Sequence, residues 1–385
     1  MRDVSVIGIG QVPVGDLWDK PIYFLAVDAM LAAIQDARAE QIDSVYIGNM
    51  LSSTLAGQDL LAVLAADQVG LRGVEAVKIE AACSSGGAAF REGYLAVASG
   101  LVNFALVCGV EKMLDHPGEE ITEGLVSASD ADWESAMGDT FVAINARLMQ
   151  RYMYEYGIPH EDFAPFPINA HHNAVNNPNA MLRYELTQEK FNKARMIADP
   201  INLLDCSPVC DGAAAVILCP TEIARQFSPY PIKVRASTIA TDSLALHDRH
   251  NLLALEAVGL SAQKAFAQAQ LTNQDIDFFE VHDAFSITAV ASLEASGFAE
   301  PGKGTRLGLD GDIAIGGKLP ICTMGGLKAR GHPVGATGMY QIVEAMMQLR
   351  GLAGKNQVKD ATIGMTQNIG GSGSNVVTHI FEREA

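Results

Sequence analysis

The chain has 385 residues, 49% of them hydrophobic, which is enough to bury a substantial core in two or three domains of ordinary size. Its formal net charge is −18, and a nucleic-acid partner is not expected because phosphate binding depends on clustered Lys and Arg side chains. No stretch approaches the roughly 18 to 20 consecutive apolar residues that a membrane span requires, so no span is expected.

The N-terminus and the cysteines predict the compartment. The strand-like run from Val4 to Gly10 has no basic region before it and no small-residue cleavage site behind it, so we expect no secretory signal. The six cysteines are scattered through mostly apolar surroundings, which is typical of reduced thiols and not of a disulfide framework. We therefore expect a cytoplasmic protein.

Short apolar runs alternate with helical segments rich in Ala and Leu, and this alternation predicts α/β layers. In chain order, the predicted elements are strand Val4–Ile9, helix Phe24–Ala37, strand Ser44–Ile47, helix Leu60–Val69, strand Val77–Ala81, helix Gly87–Ala98, strand Phe104–Cys108, helix Thr140–Tyr156, strand Ala213–Leu218, strand Ile232–Ala236, helix Leu253–Ala269, strand Phe278–Val281, helix Ala284–Ser296, helix Gly338–Arg350, strand Ala361–Met365 and strand Val376–Phe381. The segment 113–200 interrupts the alternation. It has its own composition, rich in Pro and Asn, and so long an excursion is more typical of an inserted lobe that covers a site than of a linker.

A pattern of helix, acidic turn and strand occurs twice. Ala32–Ala37 followed by Gln41–Asn49 resembles Lys264–Ala269 followed by Asp275–Asp283. Two such matches, about 230 residues apart, predict duplicated halves, since the period is far longer than that of solenoid repeats. We place the halves at residues 1–225 and 226–385, with the inserted lobe in the first.

Cys83 lies where a predicted strand gives way to a predicted helix rich in Ser, Gly and Ala. The N-terminus of a helix presents free N–H groups and the positive end of a dipole, which lower a thiol pKa and favour the thiolate. The backbone N–H of Cys83 could also donate to an oxyanion. The alternative interpretation is a buried small hydrophobe, the usual environment of a free cysteine.

Two histidines in the C-terminal half stand in contexts typical of a site. His282 ends the apolar strand predicted over Phe278–Val281, and ligands gather at such strand ends in α/β sheets. His332 lies in the glycine-rich segment Gly325–Gly338, where glycines allow the backbone to approach a ligand. A lone histidine at a strand end is more often structural. Together with Cys83, however, the two imidazoles describe a nucleophile, its base and donors to a carbonyl oxygen, which thioester chemistry requires.

Other segments offer weaker candidates for binding. The run Gln367–Ser374, placed between two predicted strands, lacks the Gly-Lys-Ser/Thr of a phosphate loop, but its N–H groups could form part of an oxyanion hole. Lys328 and Arg330, beside His332, could reverse the negative potential for an anionic ligand, or belong to a solvated loop.

Three cysteines and two further histidines remain open to more than one interpretation. Cys206, Cys210 and Cys219 lack a Cys-x2-Cys knuckle, and Leu203–Leu218 reads as a core strand, so no metal site is expected. The adjacent histidines 171 and 172 lie in the predicted lobe. They could line an acyl pocket or be polar loop residues.

The turn at Cys83, the His282-Asp-Ala-Phe motif, the Gly-His332-Pro-x-Gly-Ala-Thr-Gly motif and the terminal glycine-rich run resemble those of thiolases, from about residue 4 to the end. The His-Asp-Ala-Phe form resembles the sterol-carrier-protein-type and archaeal branch, here expected without a fused lipid-carrier domain. The resemblance implies a five-layered αβαβα fold with two similar halves and an inserted loop domain, assembled as a homodimer or homotetramer. It also implies CoA thioesters as substrates, no permanently bound cofactor and, as in relatives of this branch, a small OB-fold, zinc-ribbon partner protein that helps to bind CoA.

The resemblance assigns roles to the site residues. It implies that Cys83 is acylated by an acyl-CoA and that His332 activates its thiol. His332 and His282 would hold the oxygen of the second thioester as its enolate forms, while the backbone N–H groups of Cys83 and Gly370 would hold that of the acyl-enzyme. The implied reaction is the condensation of two acetyl-CoA to acetoacetyl-CoA, or the reverse thiolysis of a 3-oxoacyl-CoA.

One departure from the family pattern concerns the acid/base of the α-carbon. Two-cysteine thiolases carry a second cysteine where this chain has Asn368, and some relatives carry it at the position of Ala284. An amide cannot exchange that proton. His282 is the first candidate for the base, because imidazole titrates near neutral pH, and Cys322 is the second. The missing cysteine leaves open a thiolase-like aldolase, or an acyl-transfer subunit of a multi-protein complex that acts on a non-CoA acceptor.

Overall fold

The computed structural model describes residues 1–39 and 41–384. The strands in this part of the chain are β1 (Val4–Gln11), β2 (Ser44–Gly48), β3 (Glu75–Ile79), β4 (Ala105–Glu111), β5 (Met196–Ala198), β6 (Ile201–Asn202), β7 (Gly212–Pro220), β8 (Ile232–Thr241), β9 (Phe278–Glu280), β10 (Ile363–Gly370) and β11 (Asn375–Arg383). The helices are α1 (Ile22–Ala37), α2 (Leu61–Gln68), α3 (Ser85–Ser99), α4 (Gly118–Val126), α5 (Phe141–Tyr156), α6 (Pro165–Val175), α7 (Gln188–Asn192), α8 (Thr221–Ala224), α9 (Glu256–Ala269), α10 (Ser286–Ala295), α11 (Gly304–Leu309) and α12 (Thr337–Leu349). Every strand and helix in the sequence-based list of elements is present, with ends shifted by a few residues.

In the described part of the chain, nine strands form one sheet in the order β3-β2-β4-β7-β1-β8-β11-β10-β9. From β1 outward, β7 and β4 follow antiparallel and β2 is parallel to β4. From β8 outward, β11 and β10 follow antiparallel and β9 is parallel to β10. The same arrangement therefore occurs on both sides of the junction where β1 pairs with β8, and the helix–turn–strand repeat of the sequence corresponds to α1–β2 and α9–β9.

The sheet folds around a central pair of helices. α3 and α12 pack against each other and contact strands on both sides of the junction. α1 and α2 cover the outer face of the first part of the sheet, and α9, with α10 packed against it, covers that of the second. The layers are thus αβαβα, as expected.

Side chains that alternate along a strand point into two different cores, one on each face of the sheet. In β7, Ala213, Ala215 and Ile217 face the core beneath α1, and the residues between them face the core around α3 and α12. A strand buried on both faces reads as one continuous apolar run, which is why β7 was predictable from its sequence.

Several short elements were not predicted. α4, α6, α7 and β5 lie in the lobe 113–200, and the remaining ones are α8, α11 and β6. α6 begins at Pro165 and carries Pro167 in its first turn, where proline is tolerated because that N–H has no partner within the helix. Its Pro and Asn content had suggested irregular chain.

Two sequence-based boundaries are wrong. The core strand expected over Leu203–Leu218 begins only at Gly212, because Asn202 caps the turn that follows it and accepts from the N–H groups of Leu204 and Asp205. Gln367 to Gly370 belong to β10, so the loop between strands is limited to residues 371–374. Across residues 1–39 and 41–384, none of the helices combines the length and the apolar character needed to cross a membrane.

Candidate active site

Cys83 occupies a single 3-10 turn between β3 and α3, as the sequence predicted. The preceding residue, Ala82, has φ of +52°, a left-handed conformation that tightens the turn. The Ser84 hydroxyl donates to Ala81 O at 2.6 Å, and the Ser85 hydroxyl donates to Ala82 O at 2.6 Å. These local bonds hold the half-buried thiol at the start of α3.

One cavity joins the candidates from distant parts of the chain. Cys83, His282 and His332 all line it, together with the 371–373 turn that follows β10. The lobe 113–200 contributes walls from α4 and α5, including Leu125, Phe141 and Leu148. The lobe therefore covers the cavity that contains the predicted nucleophile and both histidines.

The protonation state of Cys83 differs from the expectation. Burial, with smaller contributions from the carboxylates of Glu111 and Glu80, raises the pKa of the thiol to about 12. The N-terminus of α3 does not outweigh these effects. The side chain is therefore a thiol in this structure, and it would need a base to act as a nucleophile.

His332 follows one turn of π-helix and is held by its own loop. Its Nδ1 lies 2.6 Å from Thr337 Oγ1, and the Thr337 hydroxyl donates to Pro333 O at 3.2 Å. Gly331 has φ of +118° and turns the chain into the cavity. A residue with a side chain would be strained in this backbone conformation. Burial, His282 and Arg330 hold the pKa of His332 well below its usual range, so the ring is neutral.

His282 lies just beyond β9 and is 3% exposed. Its Nδ1 accepts a hydrogen bond from the Ile369 N–H at 3.3 Å and faces Asn368 Nδ2 at 3.2 Å. Burial, with a smaller contribution from Arg330, lowers the pKa of His282 to about 3. This imidazole is therefore neutral as well.

Asn368 and Gly370 connect β10 to the turn that carries Cys83, called here the nucleophile turn, and to the start of α3. Asn368 Oδ1 accepts from the Gly87 N–H at 3.3 Å, so the amide bridges α3 and His282. A Cβ on Gly370 would lie 2.4 Å from Ala81 O, which shows how closely β10 approaches the residues before Cys83. Only glycine allows that approach.

Lys328 and Arg330 are fully buried, so the solvated-loop interpretation is wrong. Lys328 Nζ donates to Asp205 O, and Arg330 lies 3.4 Å from Glu344 with its guanidinium over the Tyr340 ring. Neither side chain lines the cavity or reaches solvent, because both are enclosed by packed loops and helices. In this conformation they cannot contact the phosphates of an anionic ligand, which corrects that expectation too.

The remaining cysteines do not form a metal site. Cys206 lines the cavity, whereas Cys210 and Cys219 are buried in two different core clusters. Cys322, the second candidate for the α-proton base, is buried behind the cavity, with Sγ 3.9 Å from Val281 O. No cluster of three or more His, Cys, Asp or Glu that could hold a metal ion occurs in the described part of the chain.

The two lobe histidines also lie away from the cavity. His171 is buried beside the Tyr184 ring, with Nδ1 3.2 Å from Tyr184 O, and His172 pairs with Glu185 at the surface. Neither lines the cavity, and both lie on α6, so both interpretations left open for them, the pocket wall and the polar loop, are wrong.

Sequence reasoning missed a polar pair in the cavity wall. The Thr288 hydroxyl on α10 donates to Asn145 Oδ1 on α5 at 3.0 Å. Asn145 lies between Phe141 and Met149 on the apolar stripe of α5. A polar residue on such a stripe is the sequence feature from which this part of the site could have been predicted.

The segment 206–209 was also missed as part of the site. It pairs with both histidine motifs, since Cys206 lies opposite Phe285 and Val209 lies opposite His332. The Ser207 N–H donates to Ala284 O at 2.8 Å. These pairings depend on tertiary contact, and no local sequence pattern in the segment predicts them.

A cavity with a thiol and two imidazoles is the arrangement of enzymes that form covalent cysteine intermediates. Residues 4–222 match the domain family described as "Thiolase, N-terminal domain", and residues 238–383 match the one described as "Thiolase C-terminal domain-like". An acetyl-CoA acetyltransferase of Methanothermobacter thermautotrophicus is 46% identical over 100% of both chains. An acetyl-CoA acetyltransferase of Methanocaldococcus jannaschii is 39% identical over 99% of each chain. The chain therefore belongs to the thiolase family.

Solved structures share its fold. A structure described as "Ltp2-ChsH2(DUF35) aldolase" superposes with a TM-score of 0.86 at 24% identity, over 99% of this chain and 98% of that one. Human mitochondrial 3-ketoacyl-CoA thiolase in complex with CoA superposes with a TM-score of 0.77 at 18% identity, over 100% and 98%. At these identities the likeness concerns the fold alone, and it confirms the five-layered arrangement.

Proposed function

We propose that the protein condenses two acetyl-CoA to acetoacetyl-CoA and CoA, or runs the reverse thiolysis, through an acetyl group on Cys83. The observation that carries this proposal is the single cavity that Cys83, His282 and His332 line together. The two archaeal acetyl-CoA acetyltransferases that match this chain over almost its full length support the choice of acyl group.

In the first half-reaction, His332 takes the proton of the Cys83 thiol, and the thiolate attacks the carbonyl carbon of acetyl-CoA. The backbone N–H groups of Cys83 and Gly370 hold the oxyanion of the tetrahedral intermediate. Collapse of the intermediate breaks the bond to the CoA sulfur, and the departing thiolate takes the proton back from His332. The close approach of β10 to the nucleophile turn supports the role of Gly370.

In the second half-reaction, the second acetyl-CoA loses an α-proton and its enolate oxygen is held by the two imidazoles. The enolate carbon attacks the acetyl group on Cys83, a C–C bond forms, and the Cys83 sulfur leaves as a thiolate. The apolar walls supplied by the lobe exclude water, which would otherwise hydrolyse the acyl-enzyme.

The CoA nucleotide needs cationic groups that the cavity does not supply. No Lys or Arg is found among the described residues that line the cavity, and the chain carries a net charge of −18. We therefore propose that a partner protein completes the site for the phosphates, in the manner expected of a small OB-fold, zinc-ribbon protein. The structural neighbour whose description includes a DUF35 component supports this idea.

We further propose a homodimer or homotetramer in the cytoplasm. β3 is an edge strand of the sheet, and Val77 on it is 50% exposed, so its unpaired backbone is open to a second copy of the chain. The six cysteines are unpaired, which suits a reducing compartment.

An alternative function is an aldolase, or an acyl-transfer subunit acting on a non-CoA acceptor within a complex. It is favoured by Asn368, which stands where two-cysteine thiolases have their acid/base cysteine, and by Ala284, which stands where some relatives carry that cysteine instead. A pure aldolase needs no acyl-enzyme, so the presence of Cys83 favours the condensation.

Intact mass spectrometry after incubation with acetyl-CoA separates these functions. We expect one acetyl group on the wild-type protein, none on Cys83→Ala, and acetoacetyl-CoA in the supernatant. Cys206→Ala is the matched control, because this second cysteine also lines the cavity. Acetylation that persists in Cys83→Ala, or no acetylation of the wild-type protein with or without a partner protein added, would contradict the proposal.

A further inference from the structure

The condensation needs a base for the α-carbon that the expected cysteine does not supply. Among the described residues that line the cavity, the side chains with a thiol or an imidazole, which can exchange a proton, are those of Cys83, Cys206, His282 and His332. Cys83 carries the acetyl group at this stage. The Cys206 thiol donates to Asn202 O at 3.7 Å, and burial raises its pKa to about 11. The choice therefore lies between the two imidazoles.

The tautomer of His282 follows from obligatory donors. The Gly87 N–H can only donate, so the Asn368 oxygen faces Gly87 and the Asn368 NH2 faces His282. The Ile369 N–H, also an obligatory donor, points at the same His282 Nδ1. Nδ1 must therefore carry the lone pair, and the proton of the neutral ring lies on Nε2.

The tautomer of His332 is the opposite one. The Thr337 hydroxyl donates its proton to Pro333 O, so its oxygen accepts from His332 Nδ1 at 2.6 Å. The proton of this neutral ring lies on Nδ1, and Nε2 carries the lone pair. One imidazole thus offers the cavity a donor and the other a base.

We propose that His332 is the single base of both half-reactions, removing the proton first from Cys83 and then from the α-carbon of the second acetyl-CoA. His282 acts only as a donor to the enolate oxygen. Asn368, at the position of the second thiolase cysteine, is a positioning residue that selects the His282 tautomer. This assignment rests on the proposed function and replaces the sequence-based expectation that His282 is the base.

Protons and electrons balance with one base. His332 Nε2 takes the α-proton as the C–H electron pair moves into the enolate, and the new N–H donates to the enolate oxygen together with His282. The enolate carbon forms the C–C bond to the acetyl carbonyl, and the intermediate collapses with cleavage of the bond to Cys83 Sγ. The thiolate then takes the proton from His332, which restores the free enzyme.

The electrostatic surroundings set the protonation state from which this cycle starts. Burial and the Arg330 guanidinium lower the pKa of both imidazoles, so both begin each half-reaction neutral. A neutral His332 keeps its lone pair available, and a neutral His282 keeps its Nε2–H. Each ring therefore has the protonation state that its role requires.

Nitrogen-15 NMR of histidine-labelled free enzyme tests the tautomers directly. We expect Nε2–H on His282 and Nδ1–H on His332, assigned by the signals lost in His282→Gln and His332→Gln. In Asn368→Asp the carboxylate can only accept, so His282 should change to the Nδ1–H tautomer or become charged while His332 does not. Nδ1–H on His282, or Nε2–H on His332, in the wild-type protein would overturn the proposal.

Exchange of the acetyl-CoA α-protons in D2O, measured in the Cys83→Ala background, tests the roles without acyl transfer. Glutamine keeps an N–H donor near the Nε2 position but is no base. We expect His332→Gln to slow exchange by about 100-fold or more, and His282→Gln by less than about tenfold. The surface variant His172→Gln is the control. The reverse order for the two histidines would refute the assignment.

A rescue variant separates base from scaffold. Adding Asn368→Cys to His332→Gln restores a base at the family position, so we expect exchange to recover by about tenfold or more. Acetylation of Cys83 should stay low, because the thiol still lacks its base. Acetylation of the wild-type protein separately tests the proposed function. If it failed, the tautomers measured without substrate would still decide the assignment.

Discussion

The ring of His282 stands edge-on to that of His332, with centroids 5.3 Å apart and planes at 88°. Two positive charges at this separation would repel each other by about 3 kcal/mol at an effective dielectric constant of 20. The pair can therefore hold one shuttled proton but not two. That constraint suits a cycle in which a single proton passes between His332, the substrate and Cys83.

Thr337→Val tests the orientation of His332. Valine keeps the shape of threonine but removes the hydroxyl that accepts from Nδ1, so the ring can adopt the wrong tautomer. We expect the rate of Cys83 acetylation to fall by about 10 to 100-fold, measured by mass spectrometry of samples quenched at set times. Thr337→Ser, which keeps the hydroxyl, should remain within about threefold of wild type. Equal losses in the two variants would contradict this role.

The raised pKa of Cys83 predicts the pH dependence of its alkylation. Because the pKa is about 12, the thiolate fraction is small at pH 7 and grows as the pH rises toward that value. Iodoacetamide modification of Cys83 in the free enzyme should therefore accelerate by about tenfold per pH unit between roughly pH 7 and 10.

Peptide mapping at each pH measures this rate, with Cys83→Ala as the blank for the other cysteines. A plateau from about pH 6 to 9 would instead reveal a stable thiolate–imidazolium pair and a lowered pKa. That result would show that the N-terminus of α3 outweighs burial after all.

Gly370→Ala tests the contact between β10 and the nucleophile turn. The added Cβ would lie 2.4 Å from Ala81 O and 2.7 Å from Ser84 Oγ, so the turn that carries Cys83 must move. We expect a loss of about 1 to 3 kcal/mol in the free energy of unfolding, with a larger proportional loss of acetylation. Gly316→Ala, whose Cβ would meet no atom within 4 Å, is the control. Wild-type acetylation in Gly370→Ala would show that the turn tolerates displacement.

Glu111→Gln tests a buried carboxylate that joins the two halves of the site. Its two oxygens accept four N–H donors at 2.8 to 3.2 Å, from Asn49 Nδ2, Met50 N, Leu51 N and Gly335 N. Glutamine has one acceptor oxygen and turns an NH2 toward the remaining donors, so we expect a loss of about 1 to 3 kcal/mol in urea unfolding. The exposed Glu123→Gln should change stability little, and equal stability of the two variants would contradict the argument.

The strands of the nine-stranded sheet and the site motifs were predictable from local sequence, but the helices of the lobe were only partly so. β7 is apolar over its whole length because both of its faces are buried, and Cys83 and His332 stand in distinctive runs of small residues. α6 was missed because its Pro and Asn content matches that of irregular chain. Its helical state comes from packing against the Gly326–Arg330 turn, far along the sequence.

The sequence by itself determined the layered α/β fold and the duplicated pattern, and it predicted Cys83, His282 and His332 as the candidate site residues, because these depend on local periodicity and residue type. Only the tertiary structure decided the pKa of Cys83, the burial of Lys328 and Arg330, and the hydrogen-bond partners of each histidine Nδ1. The His282 tautomer, for example, depends on Asn368, whose amide is oriented by Gly87, 281 residues earlier in the chain. Hydrogen bonds and desolvation of this kind arise from neighbours brought together by folding, and no local pattern contains them.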